Sequence, residues 1–140
     1  MKLNGEEHWE TFLAANNLAV TLLRMKRYKE AKSVLRKTIP VARRVLGEST
    51  DLVLALRWNY AQTLYKDNDA TLDDLREAVE TLEDTGRIAR RVLGGAHPLT
   101  AQVELGLRVS RKGLAIGEAS VGNSDDVSAV RAALEAMNAT

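Results

Sequence analysis

Six consecutive residues occur twice in this chain: Ala42-Arg43-Arg44-Val45-Leu46-Gly47 returns unchanged as Ala89-Arg90-Arg91-Val92-Leu93-Gly94, 47 residues later. A duplication at that period, with no glycine-rich or cofactor-like signature inside it, points to stacked helix pairs, each covering the apolar face of the next. A chain of 140 residues has room for one continuous core and not for two. Its hydrophobic share of 45% and charged share of 28% exclude a disordered or collagen-like polymer.

The apolar spacing predicts helices throughout and no strand. Trp9, Phe12, Leu13, Leu18, Val20, Leu22 and Leu23 fall at helical intervals between about Glu7 and Met25. After a short polar break at Lys26-Arg27, Ala31, Val34, Leu35, Ile39, Ala42, Val45 and Leu46 mark a second helix, and Gly47 supplies a left-handed residue to end it. Pro40 lies inside this helix. It removes one backbone hydrogen bond at a cost of roughly 3 kcal/mol in a helix interior, which predicts a kink or two pieces meeting near residues 38–40.

Ser49 or Thr50 can cap a third helix running to about Lys66. Asp67-Asn68-Asp69-Ala70 reads as a turn, and Thr71 with Asp74 as a capping box opening a fourth helix to Leu93. Pro98 suits the first turn of a fifth, from His97 to about Ala119, whose C-terminal half Gly106, Gly113 and Gly117 are expected to weaken. Ser124 caps a last short helix.

At these positions the chain resembles a known family. Asn17-Leu18-Ala19, Leu22, Tyr28, Ala31 and Leu35 resemble the tetratricopeptide-repeat pattern, in which small residues let two helices of a hairpin approach closely. The close of the unit, with Gly94-Gly95-Ala96-His97-Pro98 after it, is similar to the 42-residue variant found in kinesin light chains. Asn17 and Asn59 are 42 residues apart, but Tyr28 to Leu75 and Ala31 to Ala78 are 47, which places five extra residues at Asp67 to Asp74.

The resemblance implies an all-α solenoid of about six helices, a right-handed stack of hairpins. Repeat 1 would cover about 7–47 and repeat 2 about 50–94. Residues 97–119 would form a capping helix closing a domain over 1–119, with a linker and C-terminal helix in 120–140. Arg108 and Arg111 stand where the first two units have Ala19/Ala61 and Leu22/Leu64, and an arginine there cannot pack against a further helix of the usual kind.

The resemblance also implies a non-enzymatic module that binds a partner protein or peptide segment in a concave groove lined by the first helix of each hairpin. The groove residues carried over are Leu13, Asn16, Asn17, Val20, Leu23 and Arg24, then Ala55, Trp58, Asn59, Gln62, Tyr65 and Lys66. A side-chain amide at Asn17 and Asn59 can pair with a bound peptide backbone because it both donates and accepts; equally, it can fill a polar gap between helices. Trp58 and Tyr65, seven apart, form either core or an interface anchor. The carboxylate clamp of chaperone-binding relatives is excluded, because its basic positions fall at Leu13, Gln102 and Gly106. The rival reading is a subunit buried in a larger assembly, or a fragment that self-associates.

Other chemistry finds no footing. There is no cysteine, and His8 and His97 are far apart, with no paired histidines for zinc. The Asp67-x-Asp69 stretch lacks the glycine and glutamate of a calcium loop. No cofactor is expected. With 20 basic and 19 acidic residues the net charge of +1 draws in neither nucleic acid nor an anionic membrane, and Arg43-Arg44 and Arg90-Arg91 read as solvated helix ends. No apolar run reaches membrane-spanning or signal-peptide length, so a soluble cytoplasmic protein is expected.

Overall fold

The computed structural model describes residues 5–121, and within them the chain is built from five helices. They are α1 (Gly5–Arg24), α2 (Tyr28–Leu46), α3 (Asp51–Tyr65), α4 (Leu72–Leu93) and α5 (Pro98–Val121). The short helix expected after Ser124 lies outside the described residues. The all-α solenoid expected from the repeat is what forms. α1 with α2 and α3 with α4 are antiparallel hairpins, and α5 packs on α4. The first helices α1, α3 and α5 lie side by side as one layer. In the other layer α2 runs beside α4 and the turn that precedes it: Arg36–Glu77 joins the two helices and Lys29 pairs with Asp69 of the turn, at 3.7 Å each.

Close approach is set by alanine. Ala19 and Ala61, Ala31 and Ala78, and Ala42 and Ala89 occupy equivalent positions of the two units, and all six are wholly buried. Between them Leu35, Leu56, Leu64, Leu75, Leu82 and Val53 fill the layer with side chains fully withdrawn from water. Burying such a side chain is worth about 1.5–3 kcal/mol, so each of these six residues contributes substantially to the stack.

The repeated hexapeptide does the same thing twice. Gly47 and Gly94 close α2 and α4 with φ of 84° and 89°, and their N–H groups donate to the Arg43 and Arg90 carbonyls at 3.0 and 3.1 Å. Their ψ angles of 172° and 157° differ from the left-handed helical value expected. They lie in the region of positive φ and extended ψ that only glycine enters readily, a stricter demand than a left-handed cap.

The turn between α1 and α2 has no glycine. Arg27 N–H reaches back to the Leu22 carbonyl at 2.8 Å and Lys26 N–H to Leu23 at 3.0 Å, with Lys26 at φ 59°. This is a Schellman closure with lysine where glycine is usual.

The five extra residues of the second unit do not all enter the hairpin loop. The connection between α3 and α4 lengthens, and α4 also starts about a turn earlier, so that it has 22 residues against 19 in α2. The capping box holds that turn: Thr71 Oγ1 accepts from Asp74 N–H at 3.1 Å, and Asp74 Oδ2 accepts from Thr71 N–H at 3.0 Å.

Of the two outcomes expected at Pro40, separate pieces do not form: α2 runs as one helix from Tyr28 to Leu46. Pro40 is exposed, so the carbonyl it leaves without a donor has water at hand. α5 continues to Val121 through its glycines, and Gly106, Gly113 and Gly117 share its buried side. A Cβ on Gly106 would lie 2.4 Å from Cζ3 of Trp58, so glycine is what lets α5 approach α3. Arg108 and Arg111 are exposed, and α5 is pinned to α4 by Arg111–Glu83 at 3.3 Å and Arg90–Glu104 at 2.9 Å.

The backbone angles predict opposite signs for two substitutions. Gly94→Ala, with open space around the new methyl, should lower unfolding free energy by about 1–3 kcal/mol from backbone strain alone. Lys26→Gly should raise it by up to about 1 kcal/mol by relieving the left-handed lysine. Urea titrations of the two variants check both.

Candidate functional site

The positions singled out on the first-helix layer divide into three groups. Asn17, Leu13 and Arg24 are exposed; Asn16, Val20, Leu23, Ala55, Trp58 and Lys66 are half-buried; Asn59, Gln62 and Tyr65 are buried. A periodicity argument places all of them on one face, but α3 is flanked by α1, α2, α4 and α5, so most of its circumference is interior.

Asn59 and Asn17 therefore differ in role. The Asn59 side chain, 6% exposed, donates from Nδ2 to Asn16 Oδ1 at 2.7 Å and accepts at Oδ1 from Gln62 Nε2 at 3.0 Å. Gln62 Oε1 in turn accepts from Lys66 Nζ at 2.9 Å. These four residues make a ladder of amides that begins on α1, crosses to α3 and climbs one side of it to the ammonium of Lys66. In the low-dielectric space between helices each rung supplies the partner its neighbour would otherwise lack. Asn17 stays outside the ladder, its own carbonyl accepting from the Thr21 hydroxyl at 3.0 Å.

Lys66 is the charged end of this ladder. Burial pushes its pKa below the ordinary lysine value, and among the described residues no carboxylate pairs with it.

Trp58 and Tyr65 come together as their spacing implied, with ring centroids 6.4 Å apart and planes at 45°. They meet at the α3–α5 contact, where Gly106 leaves room for the indole and a Cβ there would come 3.3 Å from the Tyr65 hydroxyl oxygen. Burial raises the Tyr65 pKa far above its usual value, so the ring remains neutral. Trp58 keeps part of its surface open, and Leu105, next to Gly106 on α5, is exposed.

Sequence reasoning missed two polar constructions on the other side of α3. Arg57 is 7% exposed, and its Nη2 donates to Asp84 Oδ2 at 2.7 Å, while Asp84 Oδ1 accepts from Arg87 at 2.8 Å. Tyr60 donates its hydroxyl proton to Glu77 and accepts from Arg36 Nε at 3.1 Å, and the Arg36 guanidinium carbon lies 5.9 Å from its ring centroid. Both join α3 to neighbouring helices through partners 17 to 27 residues away, a distance at which a local pattern carries no signal.

The hydrogen bond from Arg57 holds the Asp84 carboxyl below the usual aspartate value, with Arg87 adding to it. A carboxylate whose folded pKa is depressed contributes stability above its unfolded pKa and loses it as pH falls through the folded one.

A family model described as tetratricopeptide repeat matches residues 10–71, from the second turn of α1 to the cap of α4. No curated protein and no solved structure gives a significant match. Among the described residues no three His, Asp or Glu side chains converge as a metal site would, and no helix is long and apolar enough to cross a membrane.

Two stability measurements follow from this geometry. Asn59→Ala should cost about 1–3 kcal/mol, since it strands Asn16 and Gln62 in a buried setting, whereas Asn17→Ala should stay within about 0.5 kcal/mol. Asp84→Asn should cost about 1–3 kcal/mol at pH 7, because Arg57 keeps its charge without a counterion. It should also flatten the decline in stability seen in the parent below about pH 4. Thermal unfolding of the parent and variant between pH 7 and pH 2.5 tests the pair.

Proposed function

We propose that the chain is a non-catalytic protein-interaction module whose α1, α3 and α5 form a concave groove for a carboxylate-bearing partner segment. The observation that carries this reading is Lys66, a half-buried ammonium at the end of the amide ladder with no acid beside it among the described residues. A lone cation already partly stripped of water gains more from an incoming carboxylate than a fully solvated one does. On the same layer of helices, exposed Asn17 and Arg24 offer polar contacts, while Leu13, Leu105 and the open part of Trp58 offer apolar ones. The likeness of the repeat to kinesin-light-chain units supports the same use of this face.

On this reading Asn16, Asn59, Gln62 and Tyr65 act from beneath. They hold Lys66 and Trp58 in place, and the ligand meets Asn17, Val20, Arg24, Trp58 and Lys66. The residues from Pro98 to Val121 then cap the stack.

A second reading, stacking of the open end of the solenoid in an assembly, is favoured by Leu18 and Met25 of α1, which are 49% and 56% exposed and one heptad apart.

Selection from a random peptide library displayed on phage tests the first reading. Enriched peptides should carry Asp or Glu, and their affinity should fall at least tenfold with Asn17→Ala plus Lys66→Glu. Peptides insensitive to that double variant would overturn it. Light scattering tests the second: a dimer or larger species that returns to monomer on Leu18→Glu with Met25→Glu would favour assembly over peptide capture.

A further inference from the structure

The near-zero net charge conceals a strong segregation. Residues 24–44 contain nine lysines and arginines and a single acid, Glu30, whereas residues 67–84 contain eight acids and a single arginine, Arg76. The fold sets these stretches side by side as α2 and the first half of α4, and the Lys29–Asp69 and Arg36–Glu77 pairs neutralise the seam. Away from the seam, Lys32, Lys37 and Arg44 make no ion pair or hydrogen bond among the described residues. Most carboxylates of α4 are engaged elsewhere, Asp84 by Arg57 and Arg87, Glu83 by Arg111 and Asp73 by Arg76, and exposed Glu80 pairs with none of the three.

The surface beneath these cations is shaped as well as charged. Lys29, Lys32, Ser33, Arg36 and Lys37 enclose a shallow hollow of about 330 Å³. Beyond Arg36 it meets a groove of about 270 Å³ between α2 and α4, with Ile39 and Pro40 on one wall and Tyr60 at its base.

We propose that this outer face of α2 is a second docking surface, taking an acidic protein segment that lays Asp or Glu side chains along Lys32, Lys37 and Arg44. The row from Lys29 to Arg44 is about 22 Å long at 1.5 Å per residue, enough for four turns of an acidic helix or a shorter extended run. Its width decides the class of partner. The basic surface is one helix broad, about 10 Å, and is bordered by the acidic row of α4. A nucleic-acid duplex or a lipid bilayer is far wider than one helix and would press its own negative charge against Asp73, Asp74 and Glu80. A single acidic segment avoids them. The surface belongs to the α2–α4 layer, so it stands independently of the groove formed by α1, α3 and α5.

The test uses the full chain and a fluorescein-labelled peptide of twelve residues alternating Glu with Ala and Leu, followed by fluorescence polarisation. Saturable binding that weakens steeply between 50 and 200 mM salt is expected. Lys32→Glu with Lys37→Glu and Arg44→Glu should reduce affinity at least tenfold with helix content unchanged by circular dichroism. Lys37→Glu with Arg44→Glu, both at exposed sites, should reduce it at least threefold. Asn17→Ala with Lys66→Glu should change it less than threefold, which separates this surface from the groove. Binding insensitive to the α2 variants would overturn the proposal. So would tighter α2-dependent binding of a 20-base-pair duplex, or of vesicles containing 30% phosphatidylserine, than of the peptide at the same salt.

Discussion

The structure depends on how closely its helices approach, and that distance is set by alanine. Ala19, Ala31 and Ala42 and their counterparts Ala61, Ala78 and Ala89 have no exposed surface, and each stands where a larger side chain would force two backbones apart. Close-packed interiors do not absorb such a displacement locally. It would pass to the leucines between the layers and from them to the register of α2 against α4. Gly106 extends the same logic into α5, where even a methyl group would meet the Trp58 ring. Small residues here are spacers, and the bulky residues have value only at the spacing they set.

Close approach also explains the fate of the polar groups. An amide on α3 that might have faced water is enclosed by its neighbours, and enclosed amides require partners. Asn59 and Gln62 satisfy that requirement with Asn16 and Lys66, and the buried Arg57 places one end of its guanidinium, Nη2, on Asp84. Internal pairing leaves an uneven remainder at the surface. Lys66 ends its ladder without an acid, and α2 presents a row of cations while most carboxylates on α4 are engaged elsewhere. Both proposed interaction surfaces are the residue of internal charge pairing, and both point to acidic partners.

The repeated Ala-Arg-Arg-Val-Leu-Gly made the ends of α2 and α4 legible, because a helix stop is a local event that glycine and its preceding turn decide between them. Thr71 with Asp74 was legible for the same reason. Pro40 did not divide its helix: the cost of an interior proline depends on which face it occupies, and on the solvent face water can reach the orphaned carbonyl. Gly106 of α5 carries a meaning that propensity does not count, the close approach to Trp58 that it permits. The family match over residues 10–71 covers the part where local pattern was strongest.

Local sequence thus determined that the chain would be helical, where four of its five described helices stop and turn, and that helices in hairpins would meet through alanine. Each of these rests on interactions within about one turn, or on a period that repeats. Tertiary structure decided which members of the Asn16, Asn17, Trp58, Asn59, Gln62, Tyr65 and Lys66 set would be open to solvent and which would be enclosed between helices. It also decided that the basic and acidic stretches would lie alongside one another. Those outcomes are settled by contacts between residues 17 to 43 apart, and a helical period identifies a face without saying how many neighbours will cover it.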